Sequence, residues 1–298
     1  MPFQIVVDSC CDLTPEMRGS GLYHNVPLTI YVGESAFRDD MVLDTQDLVD
    51  AMAMCQEASH TACPAPADYL SMFERCDGDL YVVTLSALLS PAGVRVGLLT
   101  GAMTADYEQV EQFTLRLTEM LSRADSATIQ KDGHTLTLDL KGRRGVASTG
   151  VFRHKGNSGN LPSGEAYIAP VENGSNGSVV VDGSFGDIGL LGSPIQLTVR
   201  DGKLVDIQGQ DADKLSVLRE SEANATLCEL GIGANYAARL RGILLEDEKA
   251  YHTIHVAFGT NDDFGGTNKA TCHMDGIIKN PTLYLDDVLV MRDGEYLI

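Results

Sequence analysis

The chain has 298 residues, of which 44% are hydrophobic and 21% charged, a composition that excludes a wholly disordered or fibrous protein and leaves room for two domains. Acidic residues outnumber basic ones by 42 to 22, and the net charge of −20 argues against nucleic acid or an anionic membrane as a partner, because both carry phosphate charge. The amino-terminal residues lack the pattern of a signal peptide, and no run approaches the roughly 18 apolar residues of a membrane span, so we expect a cytoplasmic protein.

The first 90 residues alternate between strand and helix patterns. Strands are predicted at residues 3–8, 26–32 and 79–85, and helices at 45–58 and 67–75. Strands that alternate with helices are typical of a parallel α/β sheet. We therefore expect an α/β segment over residues 1–90.

The remainder, residues 91–298, has a different texture. Apolar residues at helical spacing predict one long amphipathic helix over 104–125, and a shorter helix is expected at 211–222. Three Asp-Gly pairs lie between alternating apolar residues, which is the strongest short-range signal of a β-hairpin: Asp132–Gly133, Asp201–Gly202 and Asp293–Gly294. Glycine clusters at 156–164, 174–192 and 259–266 predict loops. The expected fold is an α+β, largely antiparallel and β-rich domain.

Five residues of this second part are candidate metal ligands. His273 and Asp275 are two positions apart in an extended context, so both side chains would point to one face of a strand. His255 lies in the apolar run TIHVAFG, and Glu165 and Glu229 lie next to apolar strand residues, where a buried carboxylate needs a cation or hydrogen-bond donors. Imidazole and carboxylate together suit Zn, Mn, Co or Fe, whereas a plain salt bridge is the alternative for each glutamate.

The seven cysteines are odd in number and show no CxxC spacing, so we expect reduced thiols. Cys228 and Cys272 each precede a candidate ligand. Strand alternation predicts that both point away from the ligand face and serve as packing residues.

At these residues the chain resembles a known family. NLPSGEAYIAP, LCELGIGAN, TIHVAFG, FGGTNK and CHMDG, in this order, are similar to the motifs of the thermophilic metalloprotease (aminopeptidase T) family over about residues 92–298. The resemblance implies a metallo-aminopeptidase that hydrolyses peptide substrates with one or two divalent ions. It also implies metal binding by the five matching positions, which are Glu165, Glu229, His255, His273 and Asp275. Glu165 and Glu229 are the candidates for the catalytic base.

One position departs from that pattern. Better-known members carry a tyrosine ligand in the loop between the two histidines, whereas this loop is short and offers Phe264. The same broad family is similar to dihydroxypyridine ring-cleaving dioxygenases, so a mononuclear non-haem iron dioxygenase is the second hypothesis. A binding protein, either fatty-acid-binding or a catalytically silent metal binder, is the third. A homodimer is compatible with each of these hypotheses.

The first 90 residues resemble the opening half of the DegV family, which binds fatty acids. The similarity is carried by VVDSCCDL, NVPLTIYVG, FRDD, TACPAPADYLSMF and VVTLSALLS. It implies that Thr61 and Ser86 match the residues that hold a lipid carboxylate in that family. The similarity ends near Ser90, so we expect an incomplete fatty-acid pocket, in which these residues serve as caps or turns.

Overall fold

The structure is a computed structural model that describes residues 3–11, 13–55, 59–84, 101–154 and 157–298. The chain divides into two units, Met1–Val94 and Arg95–Ile298. In the first unit a parallel sheet has the strand order β2-β1-β6 and an antiparallel sheet has the order β4-β3-β5. Its strands are β1 (Phe3–Asp8), β2 (Tyr23–Val26), β3 (Thr29–Val32), β4 (Ser35–Arg38), β5 (His60–Ala62) and β6 (Asp79–Val83). Its helices are α1 (Pro15–Gly19), α2 (Thr45–Met54) and α3 (Pro66–Phe73).

The predicted α/β character of the first unit is confirmed, although the antiparallel sheet β4-β3-β5 was not predicted. The single strand predicted over 26–32 is divided between β2 and β3, because Pro27 lies between them and has no N–H to donate to a sheet. The helix predicted from residue 45 begins at Thr45, where the Asp44 side chain accepts a hydrogen bond from the Gln46 N–H at 2.8 Å. It ends at Met54, four residues before the predicted end.

The second unit contains one long helix and two antiparallel sheets. Helix α4 (Tyr107–Arg123) falls within the predicted range, and the short helix α5 (Leu244–Asp247) was not predicted. The strands are β7 (Ser126–Lys131), β8 (His134–Asp139), β9 (Val146–Ser148), β10 (Glu165–Ile168), β11 (Asn176–Val181), β12 (Ser184–Phe185), β13 (Gly189–Leu190), β14 (Ile195–Arg200), β15 (Lys203–Gln208), β16 (Leu227–Gly233), β17 (Thr253–Gly259), β18 (His273–Lys279), β19 (Thr282–Leu285), β20 (Val288–Arg292) and β21 (Glu295–Tyr296).

Each sheet of the second unit contributes apolar residues to one shared core. The seven-stranded sheet has the order β13-β12-β18-β17-β16-β10-β9, and the eight-stranded sheet has the order β15-β14-β11-β8-β7-β19-β20-β21. Core residues of the seven-stranded sheet alternate along their strands, as in Leu230 and Ile232 of β16 and Ile254 and Val256 of β17. The residues between them therefore point to the opposite face of this sheet, away from the core.

The three Asp-Gly pairs form the turns of the hairpins β7–β8, β14–β15 and β20–β21, as predicted. Both residues of each pair have positive φ, as in Asp201 (47°) and Gly202 (72°), which is the backbone of a type I′ turn.

Two predictions in this unit, one of a loop and one of a helix, differ from the structure. The glycine-rich stretch 174–192 contains the strands β11, β12 and β13, and residues 212–219 form a 3-10 helix with a kink at Leu215 in place of the expected α-helix. Further 3-10 turns lie at Ala102–Thr104 and Gly186–Ile188. Within the described part of the chain, no helix is both long and apolar enough to cross a lipid bilayer.

Candidate metal centre

Strand register brings the candidate ligands together on the face of the seven-stranded sheet that points away from the core. Glu229 of β16 lies opposite Ala257 of β17, which in turn lies opposite Asp275 of β18. Ala257, between the two carboxylates, contributes only a methyl group. His255 and His273 follow on the same face because each is two residues from a member of this row.

Three of these residues form a compact ligand cluster. Glu229, His273 and Asp275 each offer one ligand atom, and these atoms lie within 4.8 Å of one another. The His273 Nε2 atom is 3.3 Å from Glu229 Oε2 and 3.5 Å from Asp275 Oδ1. Two carboxylates and an imidazole in this arrangement fit a divalent cation of the Fe, Mn, Co or Zn type.

The orientation of the His273 ring is fixed from behind. Its Nδ1 atom is 2.9 Å from the carbonyl oxygen of Thr260, so an N–H at Nδ1 donates to that oxygen and Nε2 is directed to the carboxylates. This is the usual support of a metal-bound histidine.

The Cys228 sulfur also lies near His273 Nδ1, at 3.7 Å, and the prediction that Cys228 points away from the site was wrong. The register of β16 shifts between Leu227 and Glu229, so Cys228 is the extra residue of a β-bulge and strand alternation fails there. Cys272 packs against the core, as expected.

His255 lies deeper than His273. Its side chain is 1% exposed, and its Nε2 atom is 3.1 Å from Glu229 Oε1 and 3.9 Å from Asp275 Oδ1. The ring lies against Gly231, where an added Cβ would be 2.0 Å from the imidazole. The Nδ1 atom is buried and makes no hydrogen bond to any described residue. The Gly231 backbone thus provides the space that the His255 ring occupies.

Glu165 is placed beside this cluster and takes a different partner. Its Oε1 atom is 2.8 Å from the Nζ of Lys249, and its Oε2 atom is 3.8 Å from His255 Nε2. Lys249 is fully buried and also pairs with Glu248 Oε1. Neither Lys249 nor Glu248 was predicted, because both lie in the acidic stretch LLEDEKAY, which resembles an exposed helix surface.

The charges of this cluster shift the pKa values of its members. For His255, burial lowers the pKa, but the hydrogen bond to Glu229 and the charges of nearby carboxylates outweigh burial and raise the pKa to about 9. The pKa of His273 is also raised, because the Asp275 charge outweighs burial. Conversely, the two imidazoles overcome burial and lower the pKa of Asp275 to about 2. Without a metal ion, the carboxylates therefore hold protons on the histidines.

Two aromatic rings border the cluster where it reaches the surface. The side chain of His273 is 29% exposed, whereas those of Glu229 and Asp275 are below 10%. The Phe264 ring lies 6.0 Å from the His273 ring and 5.4 Å from the Tyr167 ring, both edge to face. Burial and the charges of Glu229 and Glu165 raise the pKa of Tyr167 to about 12, so its hydroxyl stays protonated. Tyr167 shares a strand face with Glu165, and this spacing in EAYI is the signal that could have identified it.

The two predicted lipid-binding residues belong to the first unit. Thr61 is an exposed residue of β5, paired with Ile30 of β3. Ser86 lies outside the described residues.

Two solved structures of enzymes share the fold of this chain. The chain is similar in fold to a 2,5-dihydroxypyridine dioxygenase from Pseudomonas putida, with a TM-score of 0.71 and 19% identity over 99% of this chain and 91% of that one. It is also similar to aminopeptidase T from Thermus thermophilus, with a TM-score of 0.57 and 16% identity over 99% of this chain and 76% of that one. The expected metallopeptidase-like architecture is thereby confirmed.

A family model assigns the second unit more narrowly. Residues 102–298 match the family described as 2,5-dihydroxypyridine 5,6-dioxygenase, and the chain belongs to this family. Residues 2–97 match the DegV family. A DegV domain-containing protein of Streptococcus pneumoniae is 38% identical over 94 residues, which are 30% of this chain and 32% of that protein. The chain thus spans about a third of the length of the DegV relatives that it matches.

Proposed function

We propose that the second unit is a mononuclear metal-dependent dioxygenase that cleaves the ring of a small hydroxylated pyridine. The observation that carries the proposal is the cluster of Glu229, His255, His273 and Asp275 in a chain whose residues 102–298 match the dioxygenase family. Two histidines with a carboxylate are the ligand set of non-haem Fe(II) oxygenases. Iron, when bound, would supply the activation of dioxygen beside the ring.

The surrounding residues have the chemistry that such a substrate requires. Phe264 and Tyr167 present aromatic rings at the exposed side of the cluster, where a flat ring could pack against them. The Tyr167 hydroxyl, protonated at neutral pH, can donate a hydrogen bond to a deprotonated ring oxygen. His273 stays oriented by Thr260, and burial of His255 keeps water from its ring.

The aminopeptidase and dioxygenase hypotheses differ in whether the reaction needs dioxygen. Both hypotheses use the same metal cluster, and aminopeptidase T shares the fold. However, hydrolysis needs only a metal-activated water, whereas ring cleavage consumes dioxygen. The family match and the aromatic border favour ring cleavage.

The test is to load the protein with Fe(II) without oxygen, add 2,5-dihydroxypyridine and oxygenated buffer, and record oxygen uptake and loss of the substrate's absorbance. We expect stoichiometric oxygen consumption, lost in His273→Ala and retained in the control His154→Ala, whose histidine is exposed and distant in sequence from the cluster. Amino-acid p-nitroanilides with Zn, Mn or Co should remain intact under argon. Hydrolysis under argon together with no oxygen uptake would establish the aminopeptidase instead.

For the first unit, we propose that it does not hold a complete fatty-acid site. The similarity to DegV proteins covers only about a third of their length, and an acyl chain needs a long apolar tunnel in addition to a polar anchor. Native mass spectrometry of the purified protein should show no bound fatty acid. A stoichiometric fatty acid that is lost in Thr61→Ala or Ser86→Ala would contradict this proposal.

A further inference from the structure

Lys249 reaches Glu165, beside the ligand cluster, because Gly233 of the neighbouring strand has no side chain. An added Cβ at Gly233 of β16 would lie 2.0 Å from the carbonyl oxygen of Ala250, so only glycine lets the segment after α5 pass over the sheet here. The Asn235 N–H donates to the Lys249 carbonyl at 2.9 Å and fixes the segment in place. Gly233 pairs in register with Glu165, and the Lys249 side chain is therefore directed to that carboxylate.

The Lys249 ammonium is a buried cation beside the ligand cluster. It contacts Glu165 and Glu248 and is fully buried. The other oxygen of Glu165 lies 3.8 Å from His255 Nε2, on the side of the ligand cluster. One oxygen of Glu165 thus contacts the ammonium and the other faces the ligand cluster, as in a carboxylate that bridges two cations.

Charge balance points in the same direction. Four carboxylates surround the site, those of Glu165, Glu229, Glu248 and Asp275, and Lys249 neutralises one of them. With neutral imidazoles, one divalent ion leaves a single excess negative charge. A second divalent ion would have to lie beside the ammonium, and two cations at short range in a buried site repel each other strongly.

We infer that Lys249 takes the place of a second metal ion and thereby makes the centre mononuclear, with Glu165 as a partner of the lysine and not a metal ligand. This inference depends on the metal centre of the proposed function but not on the reaction. It also accounts for the burial of a lysine, a residue that is rarely buried without charged partners.

The experiment dialyses the protein to equilibrium against Mn²⁺ or Zn²⁺ and measures the number of ions per chain by inductively coupled plasma mass spectrometry. We expect one ion per chain in the native protein and two in Lys249→Gln, with the second ion lost again in Lys249→Gln/Glu165→Gln. The control is Lys131→Gln. Lys131 is a largely buried lysine of β7, in the eight-stranded sheet, and it pairs with Asp182. This variant should keep one ion. Circular dichroism establishes that each variant is folded.

Two ions in the native protein, or one ion in folded Lys249→Gln, would overturn the inference. If Lys249→Gln does not fold, Glu165→Gln decides, since a glutamate that supports the ligands without binding the ion should change the dissociation constant of the single ion by less than about 100-fold, and a larger loss would overturn the inference. A native protein that binds no metal at all would defeat the proposed metal centre itself. One ion with no oxygenase activity would defeat only the proposed reaction.

Discussion

Gly231 is the residue on which the position of His255 depends most directly. A methyl group at Gly231 would lie 2.0 Å from the buried imidazole, so Gly231→Ala should displace the ring from Glu229. We expect a loss of about 1–3 kcal/mol in the free energy of unfolding, as in other overpacked cores, together with weaker metal binding. Urea denaturation and metal titration measure the two effects.

Gly192→Ala is the matched control, because nothing lies within 4 Å of its added Cβ. That variant should bind metal like the native protein. If Gly231→Ala also bound metal normally, His255 would not belong to the ligand set.

Metal binding should release protons. Because the pKa of His255 is about 9 and that of His273 is also raised, both imidazoles are charged at pH 7 in the metal-free protein, whereas a metal ligand must be neutral. Raising the pH lowers the proton concentration with which the metal ion competes for the imidazoles, so the apparent affinity should rise by about tenfold per pH unit for each proton displaced.

Calorimetric titrations between pH 6 and 8, in buffers with different ionisation enthalpies, count the released protons. An affinity that does not change over this range would mean that the histidines are already neutral or do not bind the metal.

The candidate ligands could be predicted from the sequence because histidine and carboxylate are chemically conspicuous among apolar strand residues. Lys249 and Gly231 could not, because their roles depend on what lies across the sheet from them. Lys249 is buried only because Gly233 lets its segment cross β16, a contact between residues that are distant along the chain. Cys228 was misplaced for a similar reason, since a bulge is a property of strand pairing that sequence alternation does not reveal.

At the scale of elements, local chemistry determined which predictions held. The Asp-Gly hairpins were predictable because positive φ at two successive positions requires these residue types. The short strands β12 and β13 were not, since two-residue strands carry no periodicity and depend on pairing, of β12 with β18 and of β13 with β12. The predicted helix over 211–222 forms a kinked 3-10 helix, and its apolar residues Leu215 and Leu218 still reach the core.

Two hairpin glycines allow backbone strain to be separated from steric conflict. Gly133 and Gly202 both have φ near +75°, but nothing lies within 4 Å of an added Cβ at Gly133, whereas one at Gly202 would lie 1.8 Å from the carbonyl oxygen of Glu172. Gly133→Ala should therefore lower the free energy of unfolding by about 1 kcal/mol through backbone strain alone.

Gly202→Ala should cost about 2 kcal/mol more, because the backbone of the neighbouring turn must move. Chemical denaturation of the two variants gives the difference directly. Equal losses would show that the contact with Glu172 is relieved without cost.

At the scale of the whole molecule, the two units differ in how much apolar surface they bury. Among the described residues, the first unit buries five apolar side chains, which are Val6, Val7, Val26, Leu28 and Val32. The second unit has an extensive core that includes both sheets and α4. Since burial of apolar surface is the main favourable term in folding, the first unit should be the less stable one.

We therefore predict two transitions in a calorimetric melt of the metal-free protein, the first from Met1–Val94 and the second from Arg95–Ile298. A metal ion at 100 times its dissociation constant adds about 2.7 kcal/mol to the unit that binds it, and for a unit of about 200 residues this corresponds to a shift of roughly 5–10 °C. Because the ligand cluster lies wholly in the second unit, only the upper transition should move. His273→Ala should show both transitions at positions that do not depend on metal. A single transition that shifts as a whole would mean that the two units unfold together.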